Sequence, residues 1–292
     1  MVIARGAGYD GVMSVFKAAC IQNSATPEVA ENVATTLRLT REAAAAGAEL
    51  ICLPEYFSGL ETVGGLFKPA AFGEAEHPVI PAFAEEARRL ARWILLGSLG
   101  VRTKDGRINN RSYLLDPSGR VAARYDKIHL FDVDLGPGKS YRESATIAPG
   151  DTAVVAATPW GGLGLSICYD LRFAALYRSL AKAGATMLAV PAAFTRLTGE
   201  AHWHVLNRAR AIETGSYVIA PCQYGTIAGG GECYGHSLIV DPWGTVLADG
   251  GTEEGFVIAD IDPAAVEAAR RRIPALSHDQ PFVPARRAEA AE

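Results

Sequence analysis

The chain has 292 residues, 49% hydrophobic and 21% charged, with a formal net charge of −4, a balance that supports a sizeable core and gives no basic field for nucleic acid. Its five cysteines, Cys20, Cys52, Cys168, Cys222 and Cys233, are odd in number and form no CxxC pair, which argues against a disulfide framework or a zinc ribbon and fits a reducing, cytoplasmic setting.

Residues 1–14 mix Gly, Asp and Arg with a few apolar residues and are expected to be an N-terminal extension rather than a signal peptide. No stretch approaches the ~20 uninterrupted apolar residues of a membrane span, so a soluble protein with no membrane partner is expected. Val15 to Ile21 reads as a strand. Pro27 to Ala46 reads as a helix with Val29, Val33 and Leu37 on one face, and Glu49 to Leu53 as a second strand. Val79 to Arg92 is predicted helical, with strands at Trp93 to Val101 and Arg111 to Leu115. The Asp116-Pro-Ser-Gly119 turn predicts a hairpin into a strand running through Tyr125 to Leu130. The order then repeats, with strands at Thr152 to Ala157 and Leu163 to Ile167, a helix from Leu171 to Gly184 and a strand at Thr186 to Val190. A helix at Glu200 to Thr214 and a strand at Ser216 to Pro221 follow; two strands flank the Asp241-Pro-Trp-Gly244 turn, and Gly255 to Ile261 closes the series. Strands alternating with helices argue for an α/β layered fold with mixed sheets covered by helices. No Pro- or Ser-rich linker divides the middle, so residues 15–262 are expected to form one domain, with 263–292 as a C-terminal helix and tail.

Three of the predicted strands end in chemistry. Cys168 follows the apolar run Leu163-Gly-Leu-Ser-Ile167 and precedes the predicted helix, where orphan amides and the positive dipole end would stabilise a thiolate. Glu55 follows a strand stopped by Pro54, and Lys127 interrupts the strand-like run Arg124-Tyr-Asp-Lys-Ile-His-Leu-Phe131. Open α/β sheets gather catalysts at strand ends, so Glu55, Lys127 and Cys168 can share a pocket. Taken singly, each also fits a bland role: a buried thiol, a loop acid, an exposed strand lysine.

With Leu53-Pro-Glu-Tyr56, Tyr125-Asp-Lys-Ile-His-Leu130 and Ser166-Ile-Cys-Tyr-Asp-Leu-Arg172, the chain resembles the nitrilase superfamily of carbon-nitrogen hydrolases over roughly Val15 to Asp262. The resemblance implies a four-layer-type αββα sandwich with mixed sheets covered by helices, a homodimer or larger homo-oligomer, and no cofactor. It makes Cys168 the nucleophile, Glu55 the general base and Lys127 the cation beside the oxyanion, with Glu143 as a supporting glutamate and the Tyr169 amide as a second oxyanion donor. Amide hydrolysis needs those three functions: an acyl-forming nucleophile, a proton shuttle and positive charge where the oxyanion develops.

Cys168-Tyr-Asp170 matches the amidase branches, where nitrile hydrolases usually carry Cys-Trp-Glu. Tyr141-Arg-Glu-Ser144, Thr198-Gly-Glu-Ala-His-Trp203, Tyr234-Gly-His-Ser237 and Asp241-Pro-Trp-Gly-Thr-Val246 resemble the branch of deaminated glutathione amidases and omega-amidases. The implied substrate is a small carboxylate-bearing amide, with Arg172 as its cationic anchor and Phe194 and Thr195 lining the pocket. An omega-amidase acting on 2-oxoglutaramate, an aliphatic amidase or nitrilase, an acyl transferase and an inactive scaffold relative stay open. No protease context surrounds His129, His202 or His236. His202 and His204, at i and i+2, face different sides of a helix, so no metal is expected, and Gly229-Gly-Gly231 lacks the Lys-Ser/Thr of a phosphate loop.

Overall fold

The computed structural model describes residues 14–64, 66–136 and 140–283. The expected extension over residues 1–14, apart from Ser14, and the tail beyond Val283 lie outside the described residues.

The strand at Phe16–Gln22 shows how one sequence builds two layers of core. Its side chains alternate in direction: Ala18 and Cys20 enter the apolar cluster between two sheets, while Ala19 and Ile21 enter a second cluster under a layer of helices. The neighbouring strand repeats the pattern, with Leu50 and Cys52 facing inward and Ile51 facing the helices. A strand buried on both faces must be apolar throughout, which is why these segments read as continuous hydrophobic runs.

Eight strands form the first sheet, in the order Ile147–Ala148, Ile108–Leu115, Trp93–Arg102, Leu50–Cys52, Phe16–Gln22 and Gly255–Ile261, with Ala71–Phe72 and Val121–Asp126 pairing off this path. The second has six, in the order Val154–Thr158, Gly161–Leu165, Ala185–Ala189, Tyr217–Ala220, Leu238–Val240 and Val246–Asp249. Each is mixed. Leu50–Cys52 runs parallel to both of its neighbours, and so does Ala185–Ala189; Gly255–Ile261, Val154–Thr158 and Leu238–Val240 join antiparallel, while the edge strand Ile147–Ala148 is parallel to Ile108–Leu115. Helices α1 (Val29–Ala45) and α2 (Val79–Leu90) cover the first sheet; α3 (Ala174–Lys182) and α4 (Arg196–Thr214) cover the second, completing the αββα sandwich. Helix α5 (Pro263–Arg272) returns to the same body, its Arg270 donating to the Ala185 carbonyl and the Ser216 hydroxyl. Both Asp-Pro-x-Gly turns form as predicted, Gly119 donating to the Asp116 carbonyl and Gly244 to that of Asp241.

Several expectations need correction. The long helix predicted from Leu171 starts only at Ala174; Cys168–Arg172 is a single 3-10 turn, so Cys168 does not cap a long helix. The strand predicted through Tyr125 to Leu130 stops at Asp126, and Lys127 lies just past its end. Helix α4 begins at Arg196 rather than Glu200. On α1 the fully buried stripe is Asn32, Thr36, Leu39, Thr40 and Ala43; Val29, Val33 and Leu37 flank it, partly buried. Polar residues can occupy that stripe because each finds a partner: Asn32 donates to the carbonyls of Thr26 and Ser58, and Thr36 and Thr40 donate to carbonyls one turn back. Three short hairpins were not predicted: Leu60–Val63 with Leu66–Pro69, Asp132–Asp134 with Ser140–Arg142, and Tyr224–Thr226 with Glu232–Tyr234.

One buried side chain ties the two sheets together. Asp170, fully buried, accepts from the Ile167 amide (2.9 Å), the Tyr125 hydroxyl (2.7 Å), the His129 amide (3.0 Å) and His129 Nδ1 (2.7 Å). It thereby fixes the turn of the second sheet that carries Cys168 against the segment of the first that carries Lys127. Asp170→Asn places an NH2 group among these donors and leaves at least one of them unsatisfied. A loss of about 1–3 kcal/mol in urea unfolding is expected; an unchanged midpoint would show that the clasp carries no weight.

Candidate active site

Pro54 cannot donate to a ladder, so the second strand of the first sheet stops there, and the chain turns sharply at Tyr56, whose φ of +51° is left-handed. The Tyr56 amide donates to the Ser98 carbonyl and hydroxyl, and Gln223 Nε2 holds the Glu55 carbonyl at 2.8 Å. Gly97 is required beneath this turn, because a Cβ there would strike the carbonyls of Leu53 and Pro54. The Glu55 side chain is thus delivered into the interior. Its Oε2 accepts from the Ala193 amide (2.8 Å), and Oε1 from Asn110 Nδ2 (2.8 Å) and Lys127 Nζ (3.0 Å).

Lys127 is anchored at both ends of its peptide unit, its N–H on the Asn110 carbonyl and its carbonyl on the Gly150 amide. Its ammonium is buried and also reaches Glu143 Oε2 at 2.9 Å. Glu143 opens a one-turn 3-10 helix, and the Phe131 amide, at 2.6 Å, orients its carboxylate. A cation and two carboxylates away from water are tolerable only when every remaining lone pair finds a donor, and here Asn110, Ala193 and Phe131 supply them.

Cys168 sits where the second sheet ends, its amide donating to the Pro191 carbonyl at 2.9 Å and its φ at +49°. Left-handed backbone is uncommon for a non-glycine residue and persists only where the surroundings impose it, and two such residues, Tyr56 and Cys168, flank this one site.

The electrostatics differ from a dipole-stabilised thiolate. Burial pushes the Cys168 thiol well above its ordinary value, the adjoining Glu55 carboxylate pushes it further, and the Lys127 ammonium opposes both without overcoming them. For Lys127, burial alone would lower the ammonium, but Glu143 and Glu55 more than compensate and hold it charged. The Glu143 carboxyl is raised by burial, then lowered by Lys127 and raised by Glu55, and ends above the usual carboxylate range. One cation facing two acids and a thiol leaves negative charge in excess, so proton uptake is favoured.

Glu55, Lys127, Glu143, Cys168, Tyr169, Phe194 and Thr195 line a single cavity, so the structure brings together every predicted site residue except Arg172. The Arg172 guanidinium lies outside that lining, stacked over the Tyr169 ring at 5.7 Å and the Phe194 ring at 5.3 Å and beside His202. The cavity shares Thr195 with an outer basin of about 560 Å³, where Arg196 pairs with Glu200 and Glu232. Sequence reasoning missed Asn110, Gln223 and Tyr56. Asn110 lies inside an ordinary strand with no motif around it, and Gln223 acts from 168 positions away along the chain. Tyr56 stood next to a candidate, and its hydroxyl is buried on the cavity wall without a protein partner.

The chain matches the carbon-nitrogen hydrolase family over residues 17–271. It is 42% identical over 272 residues to the deaminated glutathione amidase of Synechocystis sp. (strain PCC 6803 / GT-S), covering 91% of this chain and 98% of that protein. It is 36% identical over 263 residues to the human omega-amidase NIT2, covering 90% and 94%. Among solved structures, the C. elegans NitFhit protein superimposes with a TM-score of 0.83 at 31% identity, over 92% of this chain and 66% of that one, slightly under two thirds of its length. No helix among the described residues is long and apolar enough to cross a membrane. With nearly its whole αββα body inside the matched span and an amidase-type Cys-Tyr-Asp turn in the cavity, the chain belongs to the carbon-nitrogen hydrolase family, in the amidase branch of the nitrilase superfamily.

Proposed function

We propose that the chain hydrolyses a carboxylate-bearing amide, with deaminated glutathione or a related omega-amide of a 2-oxo acid as substrate, through a thioester on Cys168. The observation that carries this reading is the convergence of Glu55, Lys127, Glu143 and Cys168, from four separate segments, on one buried cavity. At rest the thiol keeps its proton. As sulfur attacks the carbonyl carbon, Glu55 takes that proton, and the Lys127 ammonium and the Tyr169 amide face the developing oxyanion. The proton passes to the nitrogen, the C–N bond breaks, and ammonia or an amine leaves a thioester. Water, deprotonated by Glu55, then attacks the thioester, the C–S bond breaks, and the thiol regains its proton as the carboxylic acid departs. Glu143 holds Lys127 in place rather than touching substrate.

The substrate class is supported by the names of the similar amidases and by the cavity's division into a narrow reacting end and a wider basin. Thr195 borders both and Phe194 lines the reacting end, the Tyr56 hydroxyl is a free donor for a substrate oxygen, and Arg172, behind Tyr169 and Phe194, supplies positive field for the substrate carboxylate. All five cysteines are buried and free, in keeping with a reducing cytoplasm. Residues 15–262 form the hydrolase domain, to which 263–292 adds a helix docked through Val266 and Arg270.

Cys168→Ala is expected to abolish ammonia or amine release from deaminated glutathione and 2-oxoglutaramate with no change in circular dichroism. Rapid acid quench of the wild type should trap the acyl mass on the peptide containing Cys168. Turnover by the variant, or turnover of nitriles alone by the wild type, would remove the assignment. The homodimer proposal rests on exposed apolar residues of α4, Leu197, Val205 and Ile212, together with Trp243 and Ile273. Val205→Glu combined with Ile212→Glu should halve the mass measured by light scattering; a dimer unaffected by both would place the interface elsewhere.

A further inference from the structure

Away from the cavity, three segments distant in sequence bring metal-ligating groups together. His204 projects from the middle of α4, His236 stands in the turn after Glu232–Tyr234, and Asp249 ends the last strand of the second sheet. Each offers a ligand atom, and the three lie within 4.8 Å of one another. We propose that His204, His236 and Asp249 bind a divalent transition-metal cation of the zinc class.

The separations suit such an ion. Donor atoms about 2.0–2.1 Å from a tetrahedral zinc are roughly 3.3 Å apart. Asp249 Oδ2 already stands 3.0 Å from His204 Nε2, and Asp249 Oδ1 2.8 Å from His236 Nδ1. Two imidazoles and one carboxylate are the donor set of zinc, cobalt, nickel or copper, not of calcium or magnesium, which take oxygen. The ligands are held by groups that do not themselves face the ion. The His236 ring stacks on Tyr234 at 4.4 Å, while the residue's backbone amide donates to the Gly251 carbonyl at 2.6 Å and its backbone carbonyl accepts from Trp203 Nε1 at 2.7 Å. The Gly251 amide orients Asp249 at 2.9 Å. Such backing keeps metal ligands in one orientation before an ion arrives. The three side chains are a quarter to about a third exposed, which gives an ion a route in and leaves positions for water. Glu200 and Glu232 line the surface cavity that contains His236, both paired there with Arg196, so two acids and one guanidinium leave a single negative charge at its mouth.

The bound ion would cross-link α4, the Glu232–Tyr234 strand and the end of the second sheet. Tyr234 carries this toward the active site, because its amide donates to the carbonyl of the cavity residue Phe194 at 2.8 Å and its ring packs on Gly199 of α4. The site is therefore a brace for the cavity wall and takes no part in the bond-breaking chemistry. Nothing in the spacing of positions 204, 236 and 249 announces it; only the fold joins them.

The test uses tag-free, chelator-stripped full-length chain. Zn2+ competed against a chromophoric chelator should bind at one equivalent with a dissociation constant below about 10 µM, and Co2+ should give a visible ligand-field spectrum. His204→Ala and Asp249→Asn should each weaken Zn2+ binding at least tenfold with unchanged circular dichroism, and saturating Zn2+ should raise the melting temperature of the wild type alone by about 5 °C. Should either substitution perturb folding, His236→Asn, which tolerates the left-handed backbone at that position, must show the same loss. Absence of saturable binding, or a loss smaller than tenfold in a folded variant, overturns the proposal and leaves the cluster as a His-Asp-His hydrogen-bonded clasp.

Discussion

A single buried ammonium governs this molecule. Lys127 Nζ stands 3.0 Å from Glu55 and 2.9 Å from Glu143, with Cys168 on the same cavity, so one positive charge serves two carboxylates and a thiol in a space largely withdrawn from solvent. A buried pair of opposite charges is seldom a net source of stability, since the desolvation of each ion offsets their attraction. Such a group is retained for what it does. Here it ties a carboxylate into place next to a nucleophile whose own proton is held tightly, and it places a cation where an oxyanion can form.

The fold satisfies that constraint by supplying the parts from opposite layers. Glu55 and Lys127 come from the first sheet and Cys168 from the second, and parallel strands deliver both Glu55 and Cys168 at their C-terminal ends. The connections must be sharp, hence Pro54, the left-handed Tyr56 and Cys168, and the missing side chain at Gly97. They must also be rigid, because a shift of one ångström between the sheets would part acid from thiol. Asp170 and Gln223 provide that rigidity, each spanning from one sheet's loops to the other's.

Much of this was legible in the sequence. Strands buried on both faces announced themselves as apolar runs, and the acid, cation and thiol each stood just beyond such a run. The rest was hidden for physical reasons. The turn after Cys168 was misread as the start of a helix because local pattern cannot separate a 3-10 turn leading into a helix from the helix itself; the real turn leaves the thiol raised by burial where a thiolate was expected. The polar stripe of α1 defeated a reading based on Val29, Val33 and Leu37, because threonines bonded to their own helix carbonyls bury like apolar residues. Asn110 and the His204, His236 and Asp249 group are assembled by tertiary contacts alone, and no spacing rule reaches across them.

The most direct test of the shared cation is the pH dependence of stability in Lys127→Met, followed by urea unfolding. Without the ammonium, Glu55 and Glu143 face each other through Asn110, and at least one carboxyl titrates above its unfolded value of about 4.3. A group raised in this way favours the folded state below its unfolded value and loses that contribution as the pH rises through its folded one. The variant should therefore be about 3–5 kcal/mol less stable than the wild type at pH 7 and should recover much of the difference as the pH falls toward about 4.5. A deficit that stays constant across that range, or no deficit at all, would contradict the claim that Lys127 is what allows the two carboxylates to share one buried site.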